Sequence, residues 1–354
     1  MKNRFISIIL LICVFLNLTG CKADKMPRLI CNTNGEFTIL IVADPQCDTK
    51  TEWQQAQTEL ETLVKRAKPN FVLINGDMNT NNIIPADMWE LFISPLTERG
   101  INWATTNGNH DPFTKRYYDM YKSYNGCLNN TVPKNDPNYE PSRPMNYVIP
   151  IYANDNRTIV FAIYGMDSGT SNNFGYEGLT QKQINWYKKQ SQKLKKQNGG
   201  KAVTSILCMH IPLPEVIDLY HSGEYTTYGI ANEPNAGTQN YTCENGKTIT
   251  KTKLHTTAKK NDNKTFAQIL KQGDVKAIIF GHDHRTNFAG SYKGVILGFA
   301  GKLSTGCYSD DLCRGGRVIK FNQQNPQDFT VSWLGSIKTS TDQPPIYTDG
   351  TIKN

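Results

Sequence analysis

Val275-Lys276-Ala277-Ile278-Ile279-Phe280-Gly281-His282-Asp283-His284 sets the reading of this chain. A short, apolar, β-branched run stops at Phe280, and two histidines one residue apart follow it. That is the signature of a buried strand ending in a loop that carries cation ligands. The pattern recurs upstream. Phe37 to Ala43 is followed by Asp44 and Gln46, and Phe71 to Ile74 leads into Gly76-Asp77. Trp103 to Thr106 leads into Gly108-Asn109-His110-Asp111, and the run Ala202 to Met209 ends at His210. Of the six histidines, His110, His210, His282 and His284 stand at these ends, whereas His221 and His255 lie in polar stretches and read as surface residues.

Strands side by side in one sheet bring their C-terminal ends to one crevice, so residues distant in sequence converge there. Carboxylate, amide oxygen and imidazole suit hard or borderline divalent ions, and a bridging carboxylate such as Asp77 can hold two of them about 3.5–4 Å apart. Each residue alone has a plainer reading. An aspartate at a strand end often caps a helix or a turn, Asn109 can bond its own backbone, and nothing compels the Gln46 amide to bind metal. The argument rests on their joint occurrence.

The ordered set D-x-Q, G-D, G-N-H-D, H and G-H-D-H resembles the calcineurin-like metallophosphoesterase superfamily, over Phe37 to Leu334. Within it Pro95 to Asp111, Met166 to Trp186, His210 to Glu215 and Gly273 to Asn287 resemble the branch near purple acid phosphatases. The resemblance implies an α/β fold, a four-layer αββα sandwich with two mixed sheets flanked by helices. It implies a first metal site from Asp44, Gln46, Asp77 and His284, and a second from Asp77, Asn109, His210 and His282, with Asp77 bridging. His110 would bind phosphate and protonate the leaving oxygen, and Asp111 would orient its ring. Two departures matter. Gln46 stands where most members have histidine, which favours manganese, magnesium or calcium over zinc or iron at the first site. Thr80 stands three residues after Asp77, where purple enzymes carry tyrosine, so a coloured iron-tyrosinate centre is not expected.

The N-terminus specifies a compartment. Lys2 and Arg4 precede the apolar run Phe5 to Leu16, and Leu18-Thr19-Gly20-Cys21 resembles a bacterial lipobox. We expect a signal peptide over 1–20 and a lipidated Cys21. A tether over 21–36, one catalytic domain over 37–336 and a polar tail over 337–354 should follow. A lipoprotein of the bacterial cell envelope, facing periplasm or exterior, is the consequence. The formal charge of +8 includes Lys2 and Arg4; what remains is mildly basic and favours acidic substrates or anionic surfaces. The lysines of 188–201 read as a solvated helix face, no nucleic-acid module is recognisable, and a monomer is expected. Among nine cysteines, Cys307 and Cys313 are close enough to form a local disulfide, whereas Cys208 reads as a buried thiol.

Helices are expected over Glu52–Lys68 and Thr180–Lys195, and strands also over Thr158–Tyr164, Val295–Phe299, Gly316–Phe321 and Phe329–Leu334. The polar span His221 to Asp262 should shape the site, with Tyr225, Tyr228 and Tyr241 either stacking on a substrate or lying at the surface. Tyr117 and Tyr118 either line the leaving-group side or pack. The favoured activity is phosphomonoester hydrolysis with two divalent ions (Mn, Fe, Zn, Mg or Ca). Phosphodiester hydrolysis at the same centre and non-catalytic binding of phosphate are the alternatives.

Overall fold

Thr49 opens the first long helix by accepting a hydrogen bond from Glu52, whose side chain returns to the Thr49 backbone, so two otherwise orphaned donors are satisfied. This helix, α1 (Lys50–Ala67), ends on Lys68 in the left-handed conformation. Trp53, Ala56, Leu60, Leu63 and Val64 form its buried stripe at helical spacing. The computed structural model describes residues 27–111, 113–172, 175–226, 241–242, 248–249, 264–309, 311–337 and 350–353.

In chain order the strands are β1 (Leu29–Ile30), β2 (Glu36–Val42), β3 (Phe71–Asn75), β4 (Asn102–Thr106), β5 (Tyr147–Tyr152) and β6 (Ile159–Met166). After two short pieces, β7 (Ser171–Asn172) and β8 (Gly175–Tyr176), come β9 (Ser205–Met209), β10 (Tyr225–Thr226), β11 (Tyr241–Thr242) and β12 (Thr248–Ile249). The last six are β13 (Val275–Phe280), β14 (Ala289–Tyr292), β15 (Val295–Phe299), β16 (Gly315–Asn322), β17 (Thr330–Gly335) and β18 (Gly350–Lys353). The other helices are α2 (Ala86–Thr97), α3 (Lys115–Ser123), α4 (Gln181–Gln197), α5 (Glu215–Ser222) and α6 (Thr265–Gln272). One sheet runs β18-β17-β16-β2-β3-β4 and the other β1-β5-β6-β9-β13-β15-β14-β10.

Alternation along the strands builds the layers, because successive side chains leave opposite faces of a sheet. Ile39, Ile41, Phe71 and Leu73 face Ile163, Ile206, Cys208 and Ile279 of the other sheet, and Phe161 stacks on Phe321 across the gap at 4.3 Å. Leu40, Val42, Val72 and Ile74 point the other way, onto Trp53 and Leu60 of α1 and Trp89 and Phe92 of α2. Tyr164, Leu207, Ile278 and Phe280 pack outward onto Tyr187 of α4, Val216 of α5 and Ile269 of α6. The result is a helix-sheet-sheet-helix sandwich with two mixed sheets. Each large apolar side chain so buried contributes roughly 1.5–3 kcal/mol.

Four expectations are corrected here. The tether does not extend to residue 36: β1 pairs with β5, and Leu29 and Cys31 are buried. The tail is not wholly outside the fold, since β18 adds an edge strand on β17. Cys307 and Cys313 do not form a disulfide; Cys313 is buried and Cys307 exposed, each a free thiol. Tyr225 packs on Phe288 at 4.9 Å and Tyr220 at 5.7 Å, away from the metal-ligating side chains. Residues 1–26, and Tyr228, Cys243, His255 and the Tyr241 side chain, lie outside the described residues. No helix of the described residues is long and apolar enough to cross a membrane.

Candidate metal centre

The five strand ends meet, but they come from two sheets rather than one. β2, β3 and β4 are parallel neighbours in the first sheet, and β9 and β13 are parallel neighbours in the second. Asn75, at the end of β3, joins them. Its amide donates to Met209 O and Ile279 O, both at 3.1 Å, and its side-chain oxygen accepts from Thr106 Oγ1 at 2.7 Å. Asn75 has no place in the motif set read from sequence. The one hint was a polar residue closing the otherwise apolar run Phe71 to Ile74.

The backbone at these ends is unusual. Asp44, Gln46, Asp77 and His282 have φ of 54°, 41°, 54° and 74°, a region that non-glycine residues rarely occupy and that collects at functional sites. Such turns aim a side chain back over the strand end. They also demand close backbone approach: a Cβ on Gly108 would sit 2.0 Å from Asp77 Oδ1, and one on Gly76, itself at φ +88°, would sit 2.5 Å from His210 Nδ1.

Asp77 is the hub. Its Oδ2 lies 3.1 Å from His210 Nε2 and accepts from Gln46 Nε2 at 3.1 Å, while its Oδ1 accepts from the His110 amide at 2.9 Å. Asp77, His210 and His282 offer ligand atoms within 4.8 Å of one another. Asp44 stands on the far side, with Oδ1 3.2 Å from His284 Nε2 and Oδ2 accepting from the His282 amide at 2.9 Å. A carbonyl only accepts, so the tautomers follow. His210 Nδ1 donates to Asn75 O and His284 Nδ1 to Tyr308 O, both at 2.8 Å. Each ring thereby turns the lone pair of its Nε2 toward the carboxylates, as a metal ligand should.

The donor set fits a cation. Gln46 Oε1 and Asn109 Oδ1 are buried oxygens with no hydrogen-bond partner, and His210 Nε2 is buried without one despite its proximity to Asp77. Buried polar atoms without partners are costly, and a divalent ion would satisfy all three. Without an ion, the proton on His210 takes its place. Burial opposes charging that ring, yet Asp77 and Asp44 outweigh it and raise the His210 pKa well above its ordinary value. Burial likewise works against ionised Asp77, and His210 and the His110 amide hold its pKa low.

His110 borders the same cavity, about 460 Å³, with Asp77, Asn109, Tyr176, His282, His284, Arg285, Cys307 and Tyr308 among its walls. Its Nδ1 donates to Thr80 O at 2.9 Å. The expectation that Asp111 orients this ring is corrected. The Asp111 carboxylate instead accepts from the amides of Met78 at 3.0 Å and Gly108 at 3.2 Å, tying the loop after β3 to the loop after β4. Burial, then the charge on Asp77, pushes its pKa up to about 7. Two tyrosines not expected from sequence border the ligands: Tyr176 meets His282 edge to face and Tyr308 stacks on His284, with ring centroids 4.3 Å apart in each case. Tyr117 and Tyr118 pack instead: Tyr117 bonds Asn82 O at 2.6 Å and Tyr118 lies against Phe113.

Asp167, at the end of β6, braces the loop after β4 by accepting from Asn107 Nδ2 at 3.0 Å and from Gly169 N at 2.8 Å. Burial raises its pKa from 3.8 to about 6. The folded state therefore holds this proton more tightly than the unfolded chain does, and the stability it confers is lost as pH rises from about 4 through 6, about 3 kcal/mol in all. Asp167→Asn should remove that decline. Chemical unfolding of the two proteins across this range checks it, and parallel curves would refute the assignment.

Gln46→His should tighten zinc binding at the weaker of two calorimetric steps, because imidazole nitrogen is the better donor for transition metals. An unchanged weaker step would place Gln46 outside the coordination sphere.

The calcineurin-like phosphoesterase family profile matches residues 37–286. "Probable inactive purple acid phosphatase 29" of Arabidopsis thaliana is 25% identical, over 96% of this chain and 92% of its own length. "Probable inactive purple acid phosphatase 14" of the same plant is 23% identical, over 85% of this chain and 80% of its own. Among solved structures, a dimetal phosphatase from Danio rerio superposes with a TM-score of 0.51 at 9% identity, covering 90% of this chain and 98% of that one. The fold, the ordered motifs and the profile agree: the chain belongs to the calcineurin-like phosphoesterase family.

Proposed function

We propose that this protein hydrolyses phosphate monoesters at a two-ion centre and does so as a lipid-anchored protein of the cell envelope. One observation carries the hydrolytic reading: Gln46 Oε1, Asn109 Oδ1 and His210 Nε2, from three different loops, are buried and unsatisfied around one carboxylate, Asp77. Asp44, Gln46, Asp77 and His284 would hold one divalent ion, and Asp77, Asn109, His210 and His282 the other. Bound there, such ions polarise a phosphoryl oxygen and lower the pKa of water toward about 7. His110 presents Nε2 to the cavity because its Nδ1 is committed to Thr80 O. From that position it donates a hydrogen bond to a phosphate oxygen and a proton to the departing alkoxide. Asp111 holds the two ligand loops in register.

A second reading, non-catalytic phosphate binding, is favoured by the "inactive" in the relatives' names and by Gln46. A pure binder has no use for a proton donor at position 110. The deciding experiment is metal analysis of protein purified without chelator, followed by turnover of a panel of phosphomonoesters and diesters. Metal with monoester turnover supports the proposal; phosphate binding without turnover under every supplied divalent ion overturns it. Diester preference would reassign the substrate and leave the centre intact.

The anchor is tested separately. Mass spectrometry of the mature N-terminus should find acyl chains on Cys21, and Cys21→Ser should move the protein to the soluble fraction. An unmodified Cys21 in the wild type would refute the anchor.

A further inference from the structure

We propose that the surface around Arg28, Arg157 and the C-terminal end of α4 is the face that rests on an anionic bilayer. This deepens the lipid-anchored reading by saying which side of the domain the anchor presents.

Arg28, Tyr152, Arg157, Thr158, Gln197 and Asn198 line one depression of about 570 Å³. Arg28 is held there by bonds from Nη1 to Asn156 O at 2.9 Å and by its guanidinium, 4.8 Å over the Tyr152 ring. Arg157 is exposed, and so are Lys193, Lys195, Lys196 and Lys201 at and beyond the end of α4. No acidic residue occurs in α4. Two carboxylates lie nearby. Asp155 accepts from Thr158 Oγ1 at 2.6 Å and from the amides of Arg157 and Thr158, and it offsets part of the Arg157 charge. Asp136 pairs with Lys189 at 2.8 Å. Arg28, Lys193, Lys195, Lys196 and Lys201 leave the face net basic, as a surface for phosphate headgroups should be.

Chain reach ties this face to the anchor. Pro27 is six residue steps from Cys21, and at roughly 3.3–3.6 Å each these span at most about 20 Å. An acylated Cys21 therefore holds Arg28 near the bilayer. A small depression beside it, lined by Pro27, Leu128, Val148, Ile149 and Pro150, adds apolar surface at the same edge.

The topology then orients the site. Tyr152 pairs with Ile159 at the start of β6, whereas Met166 at its end pairs with Met209, next to His210. The basic face and the metal centre thus lie at opposite ends of the sheet, about 25 Å apart for a strand of this length. Seated this way, the cavity opens away from the lipid, toward water-soluble phosphoesters.

The test uses the full chain carrying Cys21→Ser, so that no lipid contributes, with vesicles of phosphatidylcholine with or without phosphatidylglycerol. Binding is expected only with phosphatidylglycerol and should fall with added salt. Arg28→Glu with Arg157→Glu, and separately Lys195→Glu with Lys196→Glu, should each weaken it about ten-fold or more, since each basic residue contributes roughly five-fold. Lys50→Glu with Lys65→Glu, on α1 across the sandwich, should leave it unchanged. Unaltered thermal unfolding of each variant shows that the loss is local. Absence of phosphatidylglycerol-dependent binding overturns the proposal, and so does an equal loss from the α1 variant. Binding to heparin but not to vesicles also overturns it, by reassigning the face to a soluble polyanion. If wild-type Cys21 proves unacylated while vesicle binding persists, the anchor fails and the face stands.

Discussion

Asp77→Asn should lose one or both divalent ions and slow phosphoester turnover by about 10³-fold or more, the several kcal/mol that metal ions supply to a transition state. The reason is position. Asp77 Oδ2 lies 3.1 Å from both His210 Nε2 and the Gln46 amide, and its second oxygen holds the His110 backbone at 2.9 Å. An amide at this place keeps one acceptor oxygen but brings no charge, so it cannot bridge two cations. It also takes from His210 the charge that raises its pKa most, so that pKa should fall in the metal-free protein. Three measurements follow the change: ion stoichiometry by calorimetry, the rise of Tm on adding Mn²⁺, and the His210 imidazole titration by NMR. Wild type should show two bound ions and a Tm that climbs with metal, as linkage requires. A variant that still binds two ions with unchanged affinity would remove Asp77 from the bridging position.

Strand ends were legible in the sequence because burial on both faces makes each strand a continuous apolar run, and the first polar residue after it marks the C-terminal edge. Phe71 to Asn75 is buried throughout, and Val275 to Phe280 at every position but Lys276; both were found on that ground. β5 was not, because Tyr147 to Tyr152 alternates buried with half-buried positions and contains Pro150 at the sheet's margin. α2 was missed for a similar reason: Pro95 lies inside it, two residues before its end, where sequence rules put a helix boundary. At the site, the motif residues were legible and their supports were not. Asn75, Tyr176 and Tyr308 act through contacts between segments far apart in sequence, such as His284 Nδ1 to Tyr308 O, which no local spacing encodes. Asp111 shows the converse error. Adjacency to His110 suggested a partnership, yet the turn directs its carboxylate onto two backbone amides instead.

That correction sharpens what His110 should do. With Asp111 engaged elsewhere, the ring is oriented by its bond from Nδ1 to Thr80 O at 2.9 Å. His110→Asn should retain both ions, since its side chain is not one of the metal-ligating group, and should slow hydrolysis of alkyl phosphates by about 10²–10⁴-fold, the usual contribution of a general acid. Asp111→Asn should act differently. It replaces one acceptor of the Met78 and Gly108 amides with a donor, which disturbs the loops that carry Asp77 and Asn109, so it should weaken metal binding and activity together. The leaving group separates proton donation from mere positioning. An ester whose leaving oxygen is already a weak base needs no proton in the transition state, so nitrophenyl phosphate should suffer little from His110→Asn while an alkyl phosphate suffers the full loss. Measured as kcat/KM for the two esters at saturating Mn²⁺, the ratio of losses should be about ten-fold or more. Equal losses would show that the ring only holds phosphate, and the source of the proton would then have to be sought elsewhere on the cavity wall.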